Sequence, residues 1–372
     1  MKARLTNAMS TKATCGGRRE RPDEPRPLAI GDVVEVKPAE QILAGLDERG
    51  ELDALPFMPE MLQFCGQRFV VDKIAFKTCD TVSWTGLRRL TDTVHLAGVR
   101  CDGRAHGGCQ AGCLIFWKAA WLSRVSDGNP DKDRLEEPER PEPADPGCTR
   151  ERLTQVALGA CRPRDSTIPA DENVYSCQAT ELTRAAPESI PIWDLRQYVQ
   201  DVRSGNAPPR QVVRGLAIGV FNRFQDVTTR TLPERYRING GTRYPFLRGT
   251  AEKKTPTQPL DLQPGEWVRV KSVEEISRTL DPKNLNRGLS FDREMLRYCG
   301  RTARVLRRVD HIIDESSGRM LTMKTPCIVL ADVVCTSEYH RNCPRGIYPY
   351  WREVWLERVP AHEAAQTAGE GA

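Results

Sequence analysis

A 95-residue segment occurs twice in this chain, and this repetition constrains the fold more than any other feature of the sequence. Residues 31–125 align without a gap on residues 265–359 when the sequence is shifted by 234 positions, and 32 of the 95 aligned residues are identical. Such self-similarity indicates common descent and a shared fold. The sequence therefore predicts two tandem copies of one domain.

The remaining segments differ from the copies in composition. Residues 148–264 are not a third copy, but they contain two amphipathic patterns, over residues 192–202 and 213–227, which predict two helices. We therefore expect a disordered basic tail at 1–30, a proline-rich charged linker at 126–147, a central helical and irregular segment at 148–264, and a disordered tail at 360–372.

Each copy begins with a Gly-Asp or Gly-Glu turn and a short alternating strand around Val34 or Val268. Short helical segments and two further apolar strands follow, and the copy closes on a tryptophan-rich segment. This order resembles small SH3-like barrels. The predicted fold class is α+β, with two tandem SH3-like β-barrel domains that carry short helices and are joined by a linker and a helical middle segment.

A Cys/His pattern recurs in both copies on a loop that leaves a predicted strand. Thiolate and imidazole ligands at short spacings are typical of tetrahedral Zn²⁺ sites, so we expect one zinc ion in each copy. The pattern comprises Cys101, His106, Cys109 and Cys113 in the first copy and Cys335, His340 and Cys343 in the second, where Ile347 replaces the last cysteine.

The fourth ligand of each site has two candidate assignments. Cys113 can complete the first site, which leaves the second with three ligands and an open position for water. Alternatively, Cys65 and Cys299 supply the missing ligand in both copies. The second assignment is favoured because it uses only positions that both copies share. The competing interpretation is that these cysteines are buried apolar residues.

Four further cysteines form a looser set that suggests an iron–sulfur cluster, although their spacings match no familiar cluster motif. They are Cys79, Cys148, Cys161 and Cys177. The simpler interpretation of these four is that they are core cysteines. The chain has thirteen cysteines and no apparent secretory signal, so a reducing, cytoplasmic location is expected, where clustered cysteines bind metal more often than they form disulfides.

Other conspicuous residues have ordinary structural explanations. Glu60 and Glu294 recur, but a carboxylate in the first turn of a helix is favoured by the helix dipole. The paired tryptophans of each copy, such as Trp117 and Trp351, can stack on nucleic-acid bases, but a role in a small barrel's core is favoured.

No catalytic or phosphate-binding signature is present, and no apolar run is long enough to span a membrane. The net charge of +5 permits an anionic partner. The predicted function is therefore a zinc-binding scaffold or binding module for a protein or nucleic-acid partner. The alternative is a metalloenzyme with an open metal site or an iron–sulfur cluster.

Overall fold

A computed structural model describes residues 26–125, 147–162, 169, 172–252 and 254–360. Apart from their inner edges, the two predicted tails and the predicted linker at 126–147 lie outside the described residues. The described part is a mixed α+β structure with several small sheets, one of them curled like half a barrel.

The first half of the chain, residues 31–125, forms an antiparallel five-stranded sheet in the order β8-β7-β4-β1-β9. The alternation that predicts its first strand has a simple cause, because Val34 and Val36 point into the core while their neighbours do not. The elements are β1 (Val33–Val36), α1 (Ala39–Ala44), β2 (Glu51–Leu52), β3 (Leu55–Pro56), β4 (Arg68–Ile74), β5 (Lys77–Cys79), β6 (Leu87–Arg89), β7 (Thr93–Leu96), β8 (Trp117–Lys118) and β9 (Leu122–Arg124).

The second half, residues 265–359, forms a sheet in the order β15-β14-β11-β16. Its pairings repeat those of the first half at the same offset: Val34 pairs with Phe69 and Arg124, and Val268 pairs with Ala303 and Arg358. Classification of either sheet as an SH3-like barrel stays a prediction. The elements are β11 (Trp267–Val270), α6 (Val273–Ser277), β12 (Leu285–Asn286), β13 (Leu289–Ser290), β14 (Thr302–Ile313), β15 (Met320–Leu330) and β16 (Leu356–Arg358).

The halves differ in the long hairpin that follows the first strand. In the second half β14 and β15 run without a break, whereas the first half divides the aligned residues into β4, β5, β6 and β7. The side chain of Asn206 lies at this break and bonds both the backbone N–H and the carbonyl oxygen of Ile74. An amide side chain thus takes the place of a strand partner.

Each half has its own hydrophobic core, and the paired tryptophans are buried in it. Phe57 packs edge-on against Trp121 at 5.2 Å between ring centroids, and Phe291 packs against Trp355 at 5.1 Å. The core role favoured for these tryptophans agrees with this packing. They are not exposed for stacking on bases.

The central segment contains α2 (Arg150–Ala157), α3 (Leu182–Ala185), β10 (Ser189–Ile190), α4 (Arg196–Ser204) and α5 (Pro209–Thr231). The two helices expected here are present as α4 and α5, but the expected apolar faces are not their buried faces. Val199 and Val220 are exposed, whereas Asp201 is fully buried because it pairs with Lys77 at 2.6 Å. Gln211 at the start of α5 bonds Asn342 of the second half. The helices thus connect both halves through polar contacts.

The two halves also contact each other reciprocally. The backbone N–H of Cys79 donates to the Cys343 sulfur at 3.1 Å, and that of Ile313 donates to the Cys109 sulfur at 3.4 Å. Cys79 aligns with Ile313, and Cys109 aligns with Cys343. The two hydrogen bonds therefore join the same pair of aligned positions, with the halves exchanged. The hairpin of each half therefore reaches the Cys/His loop of the other, as in an interface with twofold symmetry. Thr81 hydrogen-bonds Glu315, its own aligned position, so the approximate axis passes between them.

Candidate metal centre

The Cys/His loop of the first half folds back on itself. The N–H of Cys101 donates to the carbonyl oxygen of Cys113 at 2.9 Å, which closes the loop. Gly103 has a positive φ of 72°, and a side chain there would lie 2.1 Å from the carbonyl oxygen of Cys109. Only glycine fits this position without displacing the loop, so Gly103 lets the loop fold back on itself.

This folding brings Cys101 and His106 to Glu60, and the ligand atoms of these three residues all lie within 4.8 Å of one another. The Nδ1 atom of His106 lies 2.6 Å from a Glu60 oxygen, and its Nε2 atom lies 2.9 Å from the carbonyl oxygen of Ser176. Both ring nitrogens therefore face acceptors. The second oxygen of Glu60 is buried and has no hydrogen-bond partner among the described residues.

The second half holds the aligned trio, Glu294, Cys335 and His340. The ligand atoms of this trio also all lie within 4.8 Å of one another. Here the His340 Nδ1 atom lies 3.7 Å from the Cys335 sulfur and 4.0 Å from a Glu294 oxygen. The His340 side chain is 42% exposed, whereas that of His106 is 1% exposed. The first trio is therefore closed and the second is open to solvent.

Both cysteines of the trios are strongly biased towards the protonated thiol. Burial raises the pKa of Cys335 to about 12, and the Glu294 carboxylate adds to the effect. Burial and the Glu60 carboxylate likewise raise the pKa of Cys101 well above its usual range. A thiolate here needs a neighbouring cation, which a bound metal ion supplies.

The structure does not bring Cys65 or Cys299, the favoured fourth ligands, into either trio. Each lies directly after a short 3₁₀ helix, Pro59–Phe64 or Arg293–Tyr298, and packs against its own core. Glu60 and Glu294, from the same short helices, stand beside the Cys/His loops instead. Their recurrence in both halves was the available signal, and the helix-dipole explanation obscured it.

Three other predicted ligands, Cys109, Cys113 and Cys343, lie outside both trios. Cys109 and Cys343 accept the reciprocal contacts between the halves. A hydrogen bond with Cys343 lowers the pKa of Cys79 to about 6. The assignment of Cys109, Cys113 and Cys343 as metal ligands stays a prediction.

The four cysteines considered for an iron–sulfur cluster do not form one group. Cys79 lies beside Cys343. Cys148 packs in the first core, and Cys161 accepts a hydrogen bond from Arg152 of α2. Cys177, however, lines a cavity beside the first trio together with Cys101, Cys109 and Cys113. The sequence spacing gave no indication of that combination.

No protein-family model, no curated protein sequence and no solved structure matches this chain. Among the described residues, no helix is long and apolar enough to cross a membrane.

Proposed function

We propose that this chain is a metal-binding scaffold protein made of two copies of one SH3-like domain. The second half binds a zinc ion at Glu294, Cys335 and His340, and the first half holds a buried metal centre at its Cys/His loop. A metal ion bound at the Cys/His loop adds folding free energy to a domain of about 95 residues.

The separation of Cys335 and His340 carries the proposal. With bond lengths of about 2.3 Å to sulfur and about 2.05 Å to nitrogen, two ligands of a tetrahedral zinc ion stand about 3.6 Å apart. The Cys335 sulfur and the His340 Nδ1 atom are 3.7 Å apart. Glu294 already accepts hydrogen bonds from Thr336 and from the backbone N–H of Tyr339, so its carboxylate is held at the site.

The proposed partner of the scaffold is a protein. Large apolar side chains are exposed along α4 and α5, and those of α5 recur at helical spacing, so they share one face of the helix. An exposed apolar face is typical of protein interaction sites. The exposed set includes Val199, Val202, Val213, Val220, Phe224 and Val227. The buried tryptophans remove the main argument for a nucleic-acid partner.

Metal analysis of the full-length chain tests the zinc site. We expect Cys335→Ser and His340→Gln each to lose about one zinc ion per chain relative to the unmodified protein. Cys299→Ser is the matched control, because Cys299 lies in the same half, is also half-buried and stands outside the trio. Unchanged zinc content in both trio variants, with circular dichroism showing folded protein, would refute the site.

A metalloenzyme is the second candidate, and the exposure of His340 favours it. Three protein ligands leave one position of a tetrahedral zinc ion for water, as in catalytic zinc sites. Replacement of zinc by Co²⁺ tests this candidate, since an open site changes its visible spectrum when azide is added. A spectrum that azide does not alter would indicate a closed, structural site.

A further inference from the structure

A cavity of about 40 Å³ lies where the Cys/His loop of the first half meets the central segment and β14 of the second half. Its lining includes four thiols, those of Cys101, Cys109, Cys113 and Cys177. A water molecule needs about 10–15 Å³ of such space, so the cavity accommodates roughly three water-sized groups. That is more room than a single metal ion fills.

The four thiols come from two separate stretches of the chain. Cys101, Cys109 and Cys113 belong to the Cys/His loop, and Cys177 belongs to the central segment, yet all four line the same cavity.

Their spacing is too wide for one zinc ion. Ligands at about 2.3 Å from a tetrahedral zinc place their sulfur atoms about 3.8 Å apart. Within the described ranges, the trios at Glu60 and Glu294 are the only groups of three or more such ligand atoms that lie within 4.8 Å of one another. Four cysteines that surround a larger space suit a cluster of several metal atoms.

A buried arginine beside the cavity also indicates an anionic occupant. Arg345 lines the cavity, but Glu315 pairs with its guanidinium at 2.8 Å and offsets its charge. Arg307 lies against Gly112, next to Cys113, and its Nε and Nη2 atoms are buried without a hydrogen-bond partner among the described residues. Buried guanidinium N–H groups without acceptors cost free energy, and a cluster with four thiolate ligands carries the negative charge that offsets this cost.

We propose that this cavity holds one iron–sulfur cluster ligated by Cys101, Cys109, Cys113 and Cys177. The inference rests on the proposed function only in that it names the buried metal centre of the first half. Glu60 and His106 are then positioning residues, because they hold the loop through the N–H of Ala105 and the carbonyl oxygen of Ser176. The second half has Ile347 in place of Cys113, so one cluster per chain is expected.

Iron and acid-labile sulfide, measured on the full chain purified without oxygen, test the cluster. We expect both in equal amounts, with a visible charge-transfer spectrum. Cys177→Ser and Cys113→Ile should each lose most of the iron and sulfide. The isoleucine variant copies the residue of the second half, so that position is expected to keep its packing. Cys161→Ser is the control, because Cys161 is half-buried but lies at α2.

The outcomes separate this inference from the zinc site. Zinc without iron or sulfide, both as purified and after anaerobic reconstitution with iron and sulfide, would overturn the cluster and leave the proposed function intact. Iron and sulfide that persist in folded Cys177→Ser and Cys113→Ile proteins would also overturn it. Loss of iron in these variants, with zinc unchanged in Cys335→Ser, would support the cluster and refute the zinc site.

Discussion

Acidification from pH 7 to pH 5 should destabilise the protein through one buried histidine, His95 of β7. The ring is fully buried, its Nδ1 atom lies 2.9 Å from the carbonyl oxygen of Ile115, and its Nε2 atom has no partner among the described residues. The neutral ring donates from Nδ1. Protonation would place a second N–H where there is no acceptor, in a region that also contains Arg345 and Arg100.

Burial lowers the pKa of His95 to about 4. In the unfolded chain the ordinary value is about 6.5, so the unfolded state binds a proton as the pH falls below 6.5 and the native state resists until about pH 4. The free energy of unfolding therefore falls with pH across this window. At about 1.36 kcal/mol for each unit of pKa, the full loss is about 3 kcal/mol, of which roughly 2 kcal/mol is already lost at pH 5.

Urea denaturation of the unmodified chain and of His95→Val, followed by circular dichroism at pH 7, 6 and 5, measures this loss. Valine is a suitable replacement because Val329 occupies the aligned position in the second half, where it is fully buried. Other groups titrate equally in both proteins, so the difference between their pH dependences isolates His95. We expect the variant to lose about 2 kcal/mol less than the unmodified chain between pH 7 and pH 5.

The absolute stability of the variant is not the test, because the substitution also removes the bond to Ile115. The same pH dependence in both proteins would refute the prediction that burial keeps His95 neutral.

Three further predictions concern other buried or constrained residues. Lys77→Met should lower the free energy of unfolding by about 3–5 kcal/mol, because Asp201 loses its partner in the interior, and adding Asp201→Leu should restore most of the loss in the same denaturation assay. Gly103→Ala should displace the carbonyl of Cys109 and reduce metal content in the first half, while zinc bound in the second half is retained; metal analysis checks this. Burial alone would raise the pKa of Asp80, but hydrogen bonds and an arginine hold that pKa well below its usual range. The contribution of Asp80 to the free energy of unfolding is therefore complete above about pH 4 and is lost only as the pH falls through the lowered pKa. Asp80→Asn should therefore lower the free energy of unfolding by about 1–3 kcal/mol in urea denaturation, and the loss should be the same at pH 7 and at pH 5.

Local patterns in the sequence predicted much of the fold. The alternation at Val34 and Val268 marked interior strands of both sheets, and the amphipathic pattern over residues 213–227 marked α5. The prediction of buried faces on α4 failed for a physical reason. Asp201 is held inside by Lys77, which is far away in the sequence, so the helix turns a charged residue inwards and leaves Val199 exposed.

The candidate site was harder to predict because its parts come from distant stretches of chain. Spacing rules recognise ligands on one loop, such as Cys101 and His106, and these two do come together. They cannot recognise Cys177, which is brought to the cavity by the path of the central segment. Nor can they distinguish Glu60 as a potential ligand from an ordinary helix residue, since only the folded loop shows what its carboxylate faces.

The contact between Thr81 and Glu315 determines which molecules can assemble this junction. In a dimer of identical separate chains, a residue on the twofold axis meets itself, so glutamate would face glutamate or threonine would face threonine. In this chain a hydroxyl meets a carboxylate, and Arg345, whose aligned residue is Ala111, compensates the charge. If the two halves were expressed as separate polypeptides, each should therefore prefer the other over a second molecule of itself, and mixing them should give a heterodimer.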